Sequence, residues 1–221
     1  MNVIVPLQTC STRVHNKNLR DFVHGKSLFD IKSSQLLKAF DPKKVFISSE
    51  SPSVEEKVKK YGFNFLLRDK AYTGNEVKQP DLIEHILKDI PDDQDDIGWA
   101  QVTTPMFDDF HKCLSTWDKV KSDYDSLVVV RKVNHVISED NIPINFNFGY
   151  WHRVSQDLCK LYEVAWSFFI IKRQTFNECK YHIGYNPYKY VCNFLNVDID
   201  TEEDFKESQR AYQGLILCQN T

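Results

Sequence analysis

Val3-Ile4-Val5-Pro6-Leu7-Gln8-Thr9-Cys10-Ser11-Thr12-Arg13-Val14-His15-Asn16-Lys17-Asn18 is the stretch whose reading decides the fold. Apolar, β-branched residues run straight into a polar loop. This is the pattern of a buried strand that ends among hydroxyl, amide and cationic groups. In open α/β sheets, ligands bind just beyond the carboxyl ends of the strands. Ser11, Thr12, Arg13 and Lys17 suit an anion, most simply phosphate, because charge-assisted hydrogen bonds are the strong ones. The other reading of the same residues is a solvated loop that happens to be basic.

Outward from that loop, strands and helices alternate. Residues 27–40 carry Leu28, Ile31, Leu36, Leu37 and Phe40 in a helical pattern, and Asp41-Pro42 stops it. A second strand is predicted at 44–50 and a charged helix at 52–61, capped by Gly62. A short strand at 63–67 ends at Arg68. A helix at 81–90 turns Leu82, Ile83, Ile86 and Leu87 inward, and an acidic loop, 91–96, leads to a strand at 97–102. A helix at 107–120 and a strand at 126–130 follow. This rhythm predicts an α/β fold with a doubly wound, mostly parallel sheet. It breaks at Lys132: residues 133–162 hold Pro143, Phe146, Phe148, Tyr150 and Trp151, too aromatic for a disordered linker. They read as an excursion that covers a pocket or meets a partner subunit. A buried strand is expected at 165–171, irregular chain at 176–186 and an extended segment at 189–197. A final helix starts at Thr201, where Thr-Glu-Glu-Asp forms a capping arrangement.

At 221 residues, the chain is long enough for one α/β domain with a sizeable core, and 1–221 is taken as one domain. A net charge of -3 provides no basic field for nonspecific nucleic-acid binding. No apolar run approaches a membrane span, and the apolar opening is too short and too poorly flanked for a secretory signal. The six scattered cysteines have neither finger spacing nor a C-x-x-C pair, as expected of free thiols in a reducing cytoplasm. Only seven glycines argue against a Gly-rich phosphate loop.

Asp198-Ile199-Asp200 is the second informative feature. Alternation in a strand puts both carboxylates on one face. Such a pair suits Mg²⁺, which is held by one or two carboxylates and substrate phosphates. The alternative is Asp200 as a helix cap with Asp198 exposed. Arg68, Gln101, Thr103 and Thr104 stand at predicted strand ends, where one cleft would collect them. His135 follows the fourth principal strand. The histidines lack a zinc spacing and Ser11 has no assignable triad partner.

These residues resemble the CMP-sugar synthetases, the acylneuraminate-type cytidylyltransferases, with the Kdo-activating enzymes as cousins. Val5-Pro6 through Ser11-Thr12-Arg13 to Lys17-Asn18 looks like the family's nucleotide loop, and Val45-Phe46-Ile47-Ser48-Ser49-Glu50 like its second-strand signature. Leu66-Leu67-Arg68 matches the arginine segment, and Gln101-Val102-Thr103-Thr104-Pro105 the Gln-Pro-Thr-Ser-Pro box. Val197-Asp198-Ile199-Asp200-Thr201-Glu202-Glu203-Asp204-Phe205 is close to the C-terminal magnesium signature.

The resemblance implies a Rossmann-like nucleotidyltransferase that transfers CMP from CTP to an acidic sugar or similar anion and releases pyrophosphate. Lys17, Asp198 and Asp200 would be catalytic, the two aspartates as Mg²⁺ ligands. Pro6, Leu7, Gln8, Ser11, Arg13, Lys17, Asn18, Arg68, Val77 and Gln79 would contact the nucleotide, and Gln101, Thr103 and Phe169 the acceptor. The 133–162 excursion matches the region the family uses to dimerise and to complete the neighbour's acceptor site. Several positions depart from the family pattern. Gln8 replaces a loop arginine, Phe107 stands where arginine is frequent, Ala165-Trp166 replaces Asn-Gly, and Asn75, Val77 and Gln79 occupy positions rich in serine. These departures point to an unusual acceptor. They also motivate an alternative, a catalytically silent relative that binds nucleotide or a protein partner.

Overall fold

The structure is a computed structural model that describes every residue except 12, 75, 94, 193–197 and 220–221, and it leaves the side chain of residue 219 undescribed. Nine strands are described: β1 Asn2–Pro6, β2 Asp21–Val23, β3 Lys26–Ser27, β4 Val45–Ser49, β5 Asn64–Leu67, β6 Asp96–Ala100, β7 Ser126–Val133, β8 Leu161–Lys172 and β9 Pro187–Val191. Six α-helices accompany them: α1 Leu28–Ala39, α2 Glu55–Lys60, α3 Gln79–Leu87, α4 Phe110–Val120, α5 Arg173–Cys179 and α6 Glu202–Gln219. Seven strands form one sheet in the order β5-β4-β1-β6-β8-β7-β9, while β2 and β3 make a small antiparallel ribbon.

Period-two alternation explains how one sheet supports two cores. Val3 and Val5 of β1, Val45 and Ile47 of β4, and Phe168 and Ile170 of β8 face one layer, with α1, α2, α4 and α6 packed over them. Ile4, Phe46, Trp99, Phe169 and Ile171 face the other, under α3 and α5. β1 pairs in parallel with both β4 and β6. The chain winds outward from β1 through β4 to β5 and then crosses to β6, so the topological switch lies between β1 and β6. That crevice is where such sheets bind ligands.

The sheet is mostly parallel, as expected, with β8 antiparallel to both of its neighbours. A run of buried residues carries no sign of direction, so this reversal was not readable. Three local expectations are corrected. The segment expected to be irregular from 176 begins as helix α5, which buries Thr175 and Phe176. β8 starts at Leu161, so the end of the expected 133–162 excursion is strand. Residues 198–200 lie outside any strand, and the expected extended segment through 197 falls partly outside the described residues. Between β7 and β8, residues 134–160 form short helical turns and one isolated bridge, Ile137 to Pro143.

Helix boundaries follow local chemistry. Ser27 caps α1 by accepting from the Asp30 amide, and the Asp30 carboxylate accepts from the Ser27 amide at 2.9 Å, a complete capping box. Thr201 and Asp204 do the same at the start of α6. Gly62, at φ +75°, takes the left-handed turn after α2 that a side chain would strain.

Candidate active site

The loop after β1 is built by its own polar groups. The Leu7 amide continues the sheet by donating to Ser48 O at 2.8 Å, and its side chain is fully buried. Asn18 Nδ2 donates to Gln8 O at 2.8 Å and closes the loop on itself. Gln8 Nε2 turns back onto Cys10 O. Thr9 donates from both its amide and hydroxyl to Glu50 Oε1, at 2.7 and 2.6 Å. Glu50 Oε2 in turn accepts from Arg68 Nη2 at 3.1 Å, a pair almost sealed from solvent. Burial opposes the Glu50 charge, but the Thr9 hydrogen bonds and the Arg68 guanidinium outweigh it and lower its pKa.

A second group converges from the ends of β6 and α6. The Gln101 amide donates to Ser167 O at 3.0 Å and the Ile199 amide to Thr103 O at 3.1 Å, so 198–200 runs beside the turn after β6. The Thr103 hydroxyl hydrogen-bonds the Asp198 carboxylate. Asp200 Oδ1 lies 2.9 Å from Arg13 Nη2 and 3.5 Å from Lys17 Nζ, and Lys17 also donates to Ile199 O. Arg20 anchors this corner: it grips Glu202 and stacks 3.8 Å from the Phe205 ring centroid, which docks the start of α6 against the loop.

Between the two groups lies a cleft of about 220 Å³. Of the sequence-derived candidates, Pro6, Gln8, Ser11, Arg13, Lys17, Asn18, Arg68, Gln79, Gln101 and Thr103 line it, joined by Tyr72, Gly74, Leu82 and Val102. Leu7, Val77 and Phe169 are not among the lining residues. Phe169 is fully buried beneath α3 and α5, packed on His182 and Trp166, which corrects its expected contact with an acceptor. His135 meets Phe146 edge-on and stacks with His152 in the excursion. Thr12 and Asn75 lie outside the described residues. A larger groove, of about 980 Å³, opens at the opposite end of the sheet between Asp92, Asp93, Asp95 and Asp96 and the start of α5, away from the switch point.

Two departures from the family pattern have structural accounts. Phe107 is fully buried and packs edge-on against Phe110, so it fills core beneath the turn after β6. Trp166 sits on a bulge in which two steps of β7, from Val128 to Val130, match five of β8, from Phe169 to Val164. Its φ of 48° is strained for a bulky residue. The bulge leaves its indole about one-third exposed beside Ser167, which holds Gln101.

Asp198 and Asp200 are the pair expected from the sequence to hold a cation. Burial and then the charge of Asp200 raise the Asp198 pKa, against the Thr103 hydrogen bond and Lys17. Two carboxylates that repel each other beside a cationic cleft fit an ion completed by phosphate oxygens and water. Among the described residues there is no group of three or more His, Cys, Asp or Glu side chains that could hold a metal by themselves.

Sequence reasoning missed Lys32. It is fully buried and donates to Thr104 O at 3.0 Å and Phe107 O at 3.1 Å. In the sequence it sits in a helical pattern where a lysine reads as solvent-facing.

The sequence profile of the family described as cytidylyltransferase matches residues 2–107. N-acylneuraminate cytidylyltransferases of Streptococcus agalactiae serotypes V and III are each 24% identical over 214 residues, covering 91% of this chain and 51% of theirs. The chain thus spans about half the length of these relatives. A solved CMP:2-keto-3-deoxy-manno-octonic acid synthetase complexed with CTP aligns with 100% of this chain and 99% of its own, with a TM-score of 0.64 and 13% identity. The 4-diphosphocytidyl-2C-methyl-D-erythritol synthase of Anaerococcus prevotii covers 96% and 98%, with a TM-score of 0.63 and 9% identity. At those identities the solved structures speak for the fold alone. The cytidylyltransferase profile spans the β1 loop and slightly less than half of the chain, and the curated alignment runs along nearly its whole length, so the chain is similar to the cytidylyltransferases.

Proposed function

We propose that the cleft binds CTP and transfers its CMP moiety to an anionic acceptor, sialic-acid-like or another ulosonic acid, releasing pyrophosphate. The observation that carries this reading is the convergence of Ser11, Arg13 and Lys17 with Arg68, Gln101 and Thr103 on one cleft at the switch point. The walls also suit a cytosine. Asn18 Oδ1 and Arg68 Nε, an acceptor and a donor, are buried without a hydrogen-bond partner in residues that both line the cleft. Cytosine offers an amino donor and a carbonyl acceptor, and it would relieve the cost of both orphaned groups.

Lys17 and Arg13 neutralise the phosphates, and Ser11 donates to a phosphate oxygen. These preorganised charges favour in-line attack by the acceptor hydroxyl on the α-phosphorus, with no covalent intermediate. Asp198 and Asp200 would hold Mg²⁺, whose chemistry is charge stabilisation at the reacting phosphate. The exposed apolar residues of the excursion, among them Phe148, Tyr150 and Trp151, support a homodimer. The six cysteines, none of them in a disulfide, fit a reducing cytoplasm, and among the described residues no helix is long and apolar enough to cross a membrane.

One observation favours a second reading, a binding-only relative: Arg13 and Lys17 already engage Asp200, leaving fewer free cations in the loop. Pyrophosphate release separates the two. With CTP, Mg²⁺ and a panel including N-acetylneuraminate and Kdo, turnover that UTP and ATP do not support establishes the transferase. Thermal protection by CTP with no release from any acceptor favours the binding-only relative. Absence of CTP protection removes both readings.

A further inference from the structure

The turn after β6 carries Gln101, Val102 and Thr103 on the cleft side, and its underside is held from within the core. Lys32, on the second turn of α1, reaches two of its carbonyls, Thr104 O at 3.0 Å and Phe107 O at 3.1 Å. One helical step away, Gln35 Nε2 donates to Pro105 O at 2.6 Å. Three carbonyls of one turn are therefore tied to one face of α1. The rest of the Lys32 environment is aromatic, with Phe107 and Phe110 ring centroids 5.7 and 5.2 Å from the ammonium. The carboxylate whose charge reaches it is Asp108, itself paired at the surface with Lys38.

An ammonium in such a place is costly to desolvate, and a methionine of similar length would fill the space without that cost. The compensating gain is the grip on the turn. Above the turn, Thr103 O receives the Ile199 amide and the Thr103 hydroxyl meets Asp198. The chain of contacts therefore runs from the core, through the turn, to the carboxylate pair and the cleft wall.

We propose that Lys32 is a positioning residue for the cleft, holding the 101–107 turn and through it Gln101, Thr103 and the Asp198–Asp200 segment. Its effect on turnover rests on the CTP reading above, whereas its effect on the turn does not. Burial takes the Lys32 pKa down to about 7, with Asp108 opposing, so its charge changes within the working range of most enzymes.

The test is Lys32→Met, with Lys32→Leu as a second variant, in the full chain. Amide exchange, corrected for intrinsic rates, is followed below and above pH 7, with thermal melting and CTP-dependent pyrophosphate release alongside. The expected result is a variant that melts no lower than the unsubstituted chain below pH 7. Amides of Thr103, Thr104, Met106, Phe107 and Ile199 exchange about tenfold faster, as loss of a charge-assisted hydrogen bond predicts. The KM for CTP or acceptor rises, and the pH dependence centred near 7 disappears from both turnover and exchange. Unchanged exchange at these amides in a folded variant overturns the proposal. So does failure of both variants to fold, which would make Lys32 a structural prop. If the unsubstituted chain shows no protection by CTP, the functional reading falls, while the exchange result still decides the role of Lys32.

Discussion

Asp200 is shared by two cations, and this makes its substitution informative. Asp200→Ala removes a proposed ion ligand and releases Arg13 and Lys17 from a partly exposed pair. The released pair matters little to stability, since exposed ion pairs contribute about 0–1 kcal/mol. Loss of the proposed ion's charge at the phosphate, in contrast, would cost several kcal/mol of barrier, roughly a thousandfold in rate. Steady-state kinetics with circular dichroism checks this: turnover should fall with the fold unchanged, and unaltered turnover would remove Asp200 from the reaction. Lys17→Ala should raise the KM for CTP by roughly ten- to a hundredfold, the worth of one hydrogen bond to a charged group. Lys32 adds a pH signature of uncommon sign. Its folded pKa of about 7 lies below the value in the unfolded chain. Above pH 7 the unfolded state therefore binds the extra proton, and stability rises with pH from about 7 towards 10. Calorimetry should find that increment in the unsubstituted chain and not in Lys32→Met.

Single elements show which readings the residues permitted. The β1 loop was legible as an anion site or as a solvated basic loop, and the cleft decides between them: six residues of the stretch line it together with four candidates from elsewhere, Arg68, Gln79, Gln101 and Thr103. Helix α5 was not legible: seven residues with one buried aromatic side chain hold too little periodicity to separate helix from loop. Asp198-Ile199-Asp200 was read as strand alternation. Ile199 is indeed buried between two partly buried aspartates, but the segment is held by Thr103 and Lys17 rather than by a strand partner. Helix α1 offers a direct test at this scale. Asp30 is disfavoured by burial, yet hydrogen bonds from Lys57, Ser27 and Tyr61 outweigh that and bring its pKa to about 2. The folded value lies below the unfolded one, so the stabilisation is complete above about pH 4 and disappears as the pH falls towards 2. Ser27→Ala should cost about 1 kcal/mol in urea denaturation at neutral pH, the loss of a cap, and should weaken that acid dependence.

Across the whole molecule, the sheet presents its chemistry at one end and its exposed aromatic residues close by. β7 runs parallel to β9 and antiparallel to β8, so residues 134–160 leave and re-enter the sheet at the cleft end. Tyr150 is 93% and Trp151 75% exposed, a large apolar surface for a lone chain. Substituting both with serine should abolish the proposed self-association in sedimentation without lowering the melting temperature, since neither side chain contributes to a core. Sedimentation unchanged by the pair would remove these rings from any interface. The length of this excursion was visible in its composition, but its role as the connection of a reversed strand was not, because strand direction has no residue signature.

That connection is the tip of an oversized hairpin whose last rung is Val133 opposite Leu161. Everything beyond the rung can be exchanged without moving a register position in the sheet. The entropic penalty of a longer connection grows only by about 0.6 kcal/mol per doubling. Natural variation can therefore rewrite the tip freely while leaving the cleft at the switch point unaltered. Evolution can treat the two ends of this hairpin as hardware and cartridge.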